Sequence, residues 1–175
     1  MLYNDDLPPY PRGFGGWMIM LVLALIFVFA HSLSRIWTEY LPVFQPETLT
    51  VYTLPASEYF VPNITGLLFA ELALSFLFSV ALAFLLILLF KKSRYFPRLF
   101  VFTMLTHLIL LAAIALIFDA VKADIQYPDE IGITEGEIRS SIYVTVVWGS
   151  YVLLSRRVYN TFLRKAGAAA QNKEP

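Results

Sequence analysis

Four long apolar runs constrain the fold of this chain more than any other feature of its sequence. The runs cover residues 14–33, 64–90, 99–118 and 142–154. A helix needs about 20 predominantly apolar residues to cross the hydrocarbon core of a bilayer. Only 15% of the residues are charged, whereas about a quarter are charged in a soluble domain. The runs predict an all-α membrane protein, a four-transmembrane-helix antiparallel bundle with two outer loops.

The charged residues alternate between the two sides of the predicted spans. Segments 1–13, 91–98 and 155–175 together contain ten Lys and Arg residues and three acids. Segments 34–63 and 119–141 contain three Lys and Arg residues and nine acids. Because Lys and Arg accumulate in the cytoplasmic loops of membrane proteins, we expect both termini in the cytoplasm and the acidic loops outside.

The predicted spans belong to one transmembrane domain, residues 14–163. A cytoplasmic N-terminal segment, 1–13, precedes it, and a disordered cytoplasmic tail, 164–175, follows it. We expect the first run to be a span rather than a cleaved signal peptide, because two acids and one arginine precede it. The predicted spans cover residues 14–37, 63–90, 97–121 and 137–162. Between the first two, residues 48–54 (TLTVYTL) predict a short extended piece.

One ionisable residue in or beside each predicted span lies near a common depth. Counted from the basic side, Arg35, Glu71 and Asp119 lie ~30 Å deep and Arg139 lies ~25 Å deep. Helix ends account for Arg35 and Asp119, but the helix around Glu71 continues outward for about two more turns. An acid within a span usually faces the bundle interior and has a partner. Arg35 and Arg139 are the candidate partners of Glu71, and a proton or ion role for Glu71 is the alternative.

Polar side chains within the spans predict contacts between helices rather than a chemical centre. Small or polar residues share a helix face at spacings of four, which permits close helix packing: Glu71, Ser75, Ser79 and Ala83 on one helix, and Ser141, Thr145 and Gly149 on another. His31 and His107 differ in depth by ~12 Å, so a shared metal is not expected and interhelical hydrogen bonding is favoured. The chain has no cysteine, which excludes disulfides and thiolate sites. We expect no enzymatic activity, no metal and no cofactor.

Three sequence features resemble one known family. They are the run Gly13-Phe14-Gly15-Gly16-Trp17, an acid at Glu71 on a span followed by Phe96-Pro97, and the motif WGSYVLLSRRVYNTF near the C-terminus. The chain is similar over residues 13–163 to an uncharacterised bacterial membrane family, the domain of unknown function numbered 2569. The resemblance implies a four-helix protein of the bacterial inner membrane and implies no reaction.

The same motifs predict an interface at the cytoplasmic side of the membrane. The candidate residues are Trp17, Trp148, Tyr151, Ser155, Arg157, Thr161 and Phe162. Arg157 lies where an arginine can hold a lipid phosphate, and Thr161 and Phe162 are expected to continue the last helix beyond it. A topological anchor is the favoured role, and a lipid or protein docking site is the alternative.

The functional expectation is a structural or accessory subunit that docks on a partner membrane protein or on a second copy of itself. The alternative is a small transporter or channel that uses the intramembrane Glu71. The expected partners are the lipid bilayer and a membrane protein or a homo-oligomer, and nucleic acid is not expected.

Overall fold

The computed structural model describes residues 14–57, 60, 63–122 and 135–163, and the described residues form helices and no strand. The helices are α1 (Trp17–Arg35), α2 (Leu41–Val43), α3 (Pro46–Thr53), α4 (Ile64–Phe90), α5 (Phe96–Lys122), α6 (Glu135–Leu154) and α7 (Arg156–Val158). The prediction of an all-helical chain is therefore confirmed for these residues. The expected segment 1–13, most of the second outer loop and the expected tail 164–175 lie outside them.

Three helical stretches within the described residues are long and apolar enough to cross a membrane. They are Trp17–Val43, Ile64–Phe90 and Phe96–Ala120. Their composition indicates a membrane-embedded protein, in agreement with the first three apolar runs. The first stretch ends six residues beyond the predicted span 14–37, because the helix does not end at its first charged residues.

A π-helical turn at Ile36–Tyr40 joins α1 to α2 without a break. On a regular helix, the seventh residue after Ser32 lies about 20° from it around the axis and the eighth about 80°. Such a turn accommodates one extra residue. Tyr40 rather than Glu39 therefore lies on the same face of the helix as Ser32. Tyr40 is accordingly buried and Glu39 is exposed.

The predicted extended piece at residues 48–54 is wrong, because residues 48–53 lie in helix α3. Pro46 occupies the first turn of α3 and Glu47 follows it, and both residues favour a helix start. Leu49 and Tyr52 of α3 pack on a small apolar cluster formed by α4 and α5. The tertiary contacts of α3 therefore favour the helix over the β propensity of its threonines and aromatic residues.

The long helices pack as antiparallel neighbours in chain order. Ser32 of α1 meets Ser79 of α4 at one level, and Phe14 meets Phe90 near the other end of the same pair. A tight turn joins α4 to α5, and α6 packs along α5. We call the end that contains the α4–α5 turn the basic end and the opposite end the acidic end.

The chain bends at Ser155 and closes the basic end. Ser155 has extended backbone angles, and its hydroxyl accepts a hydrogen bond from the Val158 amide. The α7 turn and a π-helical turn at Tyr159–Leu163 follow. Phe162 is buried there and stacks on Phe96 with 4.9 Å between ring centroids. The predicted continuous helix over 137–162 is thus divided, because the last turns fold under the helices instead of continuing outward.

Candidate functional site

A cavity of about 450 Å³ lies between α1 and α6 in the half of the molecule nearer the acidic end. Extensive helix packing joins α1 to α4, α4 to α5 and α5 to α6, but not α1 to α6. The lack of extensive packing between α1 and α6 leaves a lateral cleft between them. Side chains of all four helices line it: Phe27, Val28, His31, Ser32, Arg35, Ser75, Phe78, Met104, His107, Leu111, Gly136, Glu137, Ser140, Ser141, Val144 and Thr145.

An ion-pair cluster lies at the rim of the cleft. Arg35 donates from Nε to Oε2 of Glu39 at 2.7 Å, and its Nη2 pairs with Oε1 of Glu137. The second contact bridges α1 and α6 across the cleft. Arg35 and Glu137 are both about four-fifths buried, so the pair is shielded from solvent more than a surface ion pair is.

Polar side chains continue inward from the rim. Nδ1 of His107 and Oγ of Ser141 lie 3.5 Å apart, which links α5 to α6. The His107 ring stacks on Phe78 with 3.6 Å between centroids. His31 is exposed on the opposite wall and stacks on Phe27. Both histidines thus line one cavity, but no described group of three or more His, Asp or Glu side chains could hold a metal ion.

The cleft ends at a packed apolar layer. Leu25 and Met104 are buried below it, and they belong to a continuous core that extends to Phe96 and Phe162 at the basic end. The cavity within this layer has a volume of only about 10 Å³, which is barely enough for one water molecule. The cavity is therefore closed on the side of the basic end.

Glu71 does not line the cleft but lies behind it, between α4 and the π-helical turn. Its side chain is buried, and its Oε1 accepts a hydrogen bond of 2.9 Å from the Tyr40 hydroxyl. The Arg35 guanidinium lies 5.3 Å from the centre of the Tyr40 ring. Tyr40 thus contacts both Glu71 and Arg35, and no direct ion pair joins Glu71 to Arg35.

The other two residues of the predicted outer charge layer lie on the surface. Arg139 pairs with Glu135 at 2.8 Å, one helical turn away, and both side chains are exposed. Asp119 is exposed on α5, and no ion pair joins it to another described residue. The structure therefore brings Arg35 and Glu71 into one cluster and leaves Asp119 and Arg139 outside it.

The residues of the two terminal motifs meet at the basic end. A Cβ atom added at Gly15 would lie 2.8 Å from Nη1 of Arg157, and one at Gly16 would lie 3.2 Å from it. The guanidinium therefore rests directly on the glycine backbone. Gly16 also has φ +52°, which glycine adopts at no steric cost.

The remaining motif residues divide between the interior and the surface. Thr161 is buried near Phe162 and donates from Oγ1 to the Arg157 carbonyl at 2.7 Å. Trp148 and Tyr151 pack edge to face on α6, with 6.1 Å between ring centroids. Trp17, by contrast, is 68% exposed. The last turns of the C-terminal motif thus close the end of the helices, with Thr161 and Phe162 buried.

A helical membrane-embedded protein with a lateral polar cleft is the class that this geometry defines. The family model described as "Protein of unknown function (DUF2569)" matches residues 11–163, and the chain belongs to that family. No curated protein and no solved structure matches the chain.

Sequence reasoning did not find Tyr40 and Glu137, the two residues that complete the cluster. Tyr40 takes its position only through the π-helical turn, for which the sequence gives no recognisable signal. Glu137 had a usable signal, because an acid in the first turn of α6 is favoured by the helix dipole and lies level with the end of an antiparallel α1.

Proposed function

We propose that α6 is a fourth membrane span and that α1, α4, α5 and α6 form an antiparallel bundle in the bacterial inner membrane. The 20 residues of α6 give a length of ~30 Å, which matches a hydrocarbon core. The segregation of Lys and Arg to the basic end supports a cytoplasmic location for that end and for both termini.

Within that topology, we propose a structural or accessory role without enzymatic activity. The protein docks on a partner membrane protein or on a second copy of itself. The observation that carries this proposal is the shape of the cleft. It opens sideways between α1 and α6, and its inner end is the packed apolar core. We expect the partner to contact the exposed edge of this cleft at Phe27, rather than to enter the cavity.

The docking proposal is tested by placing a photocrosslinking amino acid at Phe27, on the edge of the cleft. The matched control position is Leu116 of α5, which is equally exposed but does not line the cleft. We expect a crosslinked protein from native membranes at Phe27 and none at Leu116, identified by mass spectrometry after purification. Absence of any protein adduct at Phe27 and of any co-purifying protein would refute the docking role.

Transport or channel activity through Glu71 has less support. Its carboxylate is engaged by Tyr40, and it does not contribute to the cleft. A transport role predicts flux in proteoliposomes that Glu71→Gln abolishes. The accessory role predicts no such flux, and the same preparation containing Arg139→Gln controls for a general effect of lost surface charge.

A further inference from the structure

We propose that the cleft between α1 and α6 binds one zwitterionic phospholipid whose headgroup carries a primary ammonium group. The lipid phosphate contacts Arg35, the ammonium contacts Glu137, and the upper part of one acyl chain lies along the apolar wall. This inference rests on the proposed function only in that α6 spans the membrane, and it needs no protein partner.

The size of the cavity is suited to part of a lipid molecule. A volume of about 450 Å³ lies within the range of sites that hold small molecules. The cavity extends from Glu137 to Thr145, a depth of ~12 Å. The cavity is therefore large enough for a headgroup with part of an acyl chain.

The charges at the rim favour a zwitterion over a simple anion. Arg35, Glu39 and Glu137 together carry one positive and two negative charges. A phosphate alone would meet Arg35 but also two carboxylates, and like charges repel at this distance. An ammonium group attached to the same headgroup supplies three N–H donors for the carboxylates. The quaternary ammonium of choline has no N–H donor, so it satisfies them less well.

The walls of the cleft give the lipid a lateral route. His31 and Ser140 are exposed on opposite edges of the opening, on α1 and α6. Below them, Val28, Leu111 and Val144 form an apolar wall at the depth of the acyl chains. Because a chain gains little by leaving one apolar environment for another, the headgroup contacts must carry the preference.

Binding of defined lipids to the full-length protein in detergent tests this inference. The probes are phosphatidylethanolamine, phosphatidylcholine and phosphatidylglycerol with identical acyl chains, and native mass spectrometry counts the bound molecules. We expect one tightly held phosphatidylethanolamine molecule, bound with about tenfold higher affinity than the other two lipids. An affinity ratio of about tenfold is what one hydrogen bond to a charged group contributes.

Variants at the rim separate this site from the general lipid surface. Glu137→Gln is expected to remove the preference for phosphatidylethanolamine over phosphatidylcholine, and Arg35→Gln to weaken both. Arg139→Gln is the matched control, since its ion pair with Glu135 lies on the same helix but outside the cleft. Ser141→Phe fills the cavity without changing charge and is expected to displace the lipid.

Equal binding of the three lipids, or an unchanged preference in both Glu137→Gln and Ser141→Phe, would overturn the proposal. Circular dichroism of each variant confirms that the helices are retained. Absence of any lipid preference in the native protein, together with a protein crosslink at Phe27, would reject this inference and leave the docking role standing. A lipid preference in the native protein without any protein crosslink at Phe27 would support the lipid site and reject docking.

Discussion

Glu71 is a buried carboxylate at membrane depth, and it accepts a hydrogen bond from the hydroxyl group of a tyrosine. Tyr40 provides that hydroxyl from the π-helical turn that follows α1, and the Arg35 guanidinium lies over the Tyr40 ring. A polar group buried without a partner costs more than an ordinary hydrogen bond contributes. The pair Tyr40–Glu71 is thus a stability element of the acidic end as well as a candidate functional one.

Tyr40→Phe is expected to lower the free energy of unfolding by about 1–2 kcal/mol, because Glu71 loses its donor. Glu71→Gln is expected to have a smaller effect, because its amide oxygen still accepts from Tyr40. Unfolding by sodium dodecyl sulfate in mild detergent, followed by circular dichroism, measures both. Tyr143→Phe is the control, since Tyr143 is 67% exposed. Equal stability of Tyr40→Phe and the native chain would contradict the role assigned to this hydrogen bond.

Two glycines, Gly16 before α1 and Gly149 within α6, are expected to respond in opposite directions to alanine. Gly16→Ala should destabilise the protein by about 1–3 kcal/mol, because an alanine is strained at φ +52°. Gly149→Ala should be neutral or stabilising by up to about 1 kcal/mol, since a Cβ there meets no atom within 4 Å. The same detergent unfolding measurement distinguishes them. A loss of stability at Gly149 would show that α6 has a closer neighbour in the membrane.

At the scale of elements, the short C-terminal turns act as a cover for the basic end. Phe162→Ala is expected to cost about 3 kcal/mol, because it removes a buried ring that stacks on Phe96. Leu154→Ala, one residue before the bend, is the control, because Leu154 is 76% exposed and should change stability by less than about 0.5 kcal/mol. Limited proteolysis gives a second measurement: faster cleavage at the basic end is expected only for Phe162→Ala.

The sequence predicted the long helices well because their signal is length and hydropathy, which depend little on the neighbours. It predicted α3 wrongly, because the alternation in residues 48–54 outweighed the start signal at Pro46 and Glu47. The bend at Ser155 was also missed, since residues 155–163 contain no glycine or proline to mark a break in the helix. Both errors concern segments whose structure is decided by what they pack against.

The parts of the candidate site that depend on packing were likewise not predicted from the sequence. The sequence placed Arg35 and Glu71 at one depth, and the structure brings them into one cluster. It could not supply Tyr40, because a π-helical turn changes which residue faces inward. It also could not show that α1 and α6 separate near the acidic end, since the cleft results from packing among all four helices.

At the scale of the whole molecule, the two ends differ in packing as well as in charge. The basic end is filled by a continuous apolar core, whereas the acidic end contains the cleft and the buried polar cluster. Such a division favours a rigid base and an adaptable opposite end, because cavities and polar clusters are less strongly packed than an apolar core. The orientation of the two ends in the membrane therefore decides which side the cleft faces.

Cysteine labelling in intact cells can determine that orientation, because the chain contains no cysteine of its own. Glu47→Cys lies on α3 near the acidic end, and Arg94→Cys lies in the α4–α5 turn; both native side chains are exposed. With the basic end in the cytoplasm, a membrane-impermeant maleimide should label Glu47→Cys in spheroplasts and label Arg94→Cys only after lysis. Glu135→Cys should behave like Glu47→Cys if α6 begins outside and crosses as a fourth span. Labelling of Arg94→Cys before lysis would reverse the topology, and protection of Glu135→Cys would remove the fourth span.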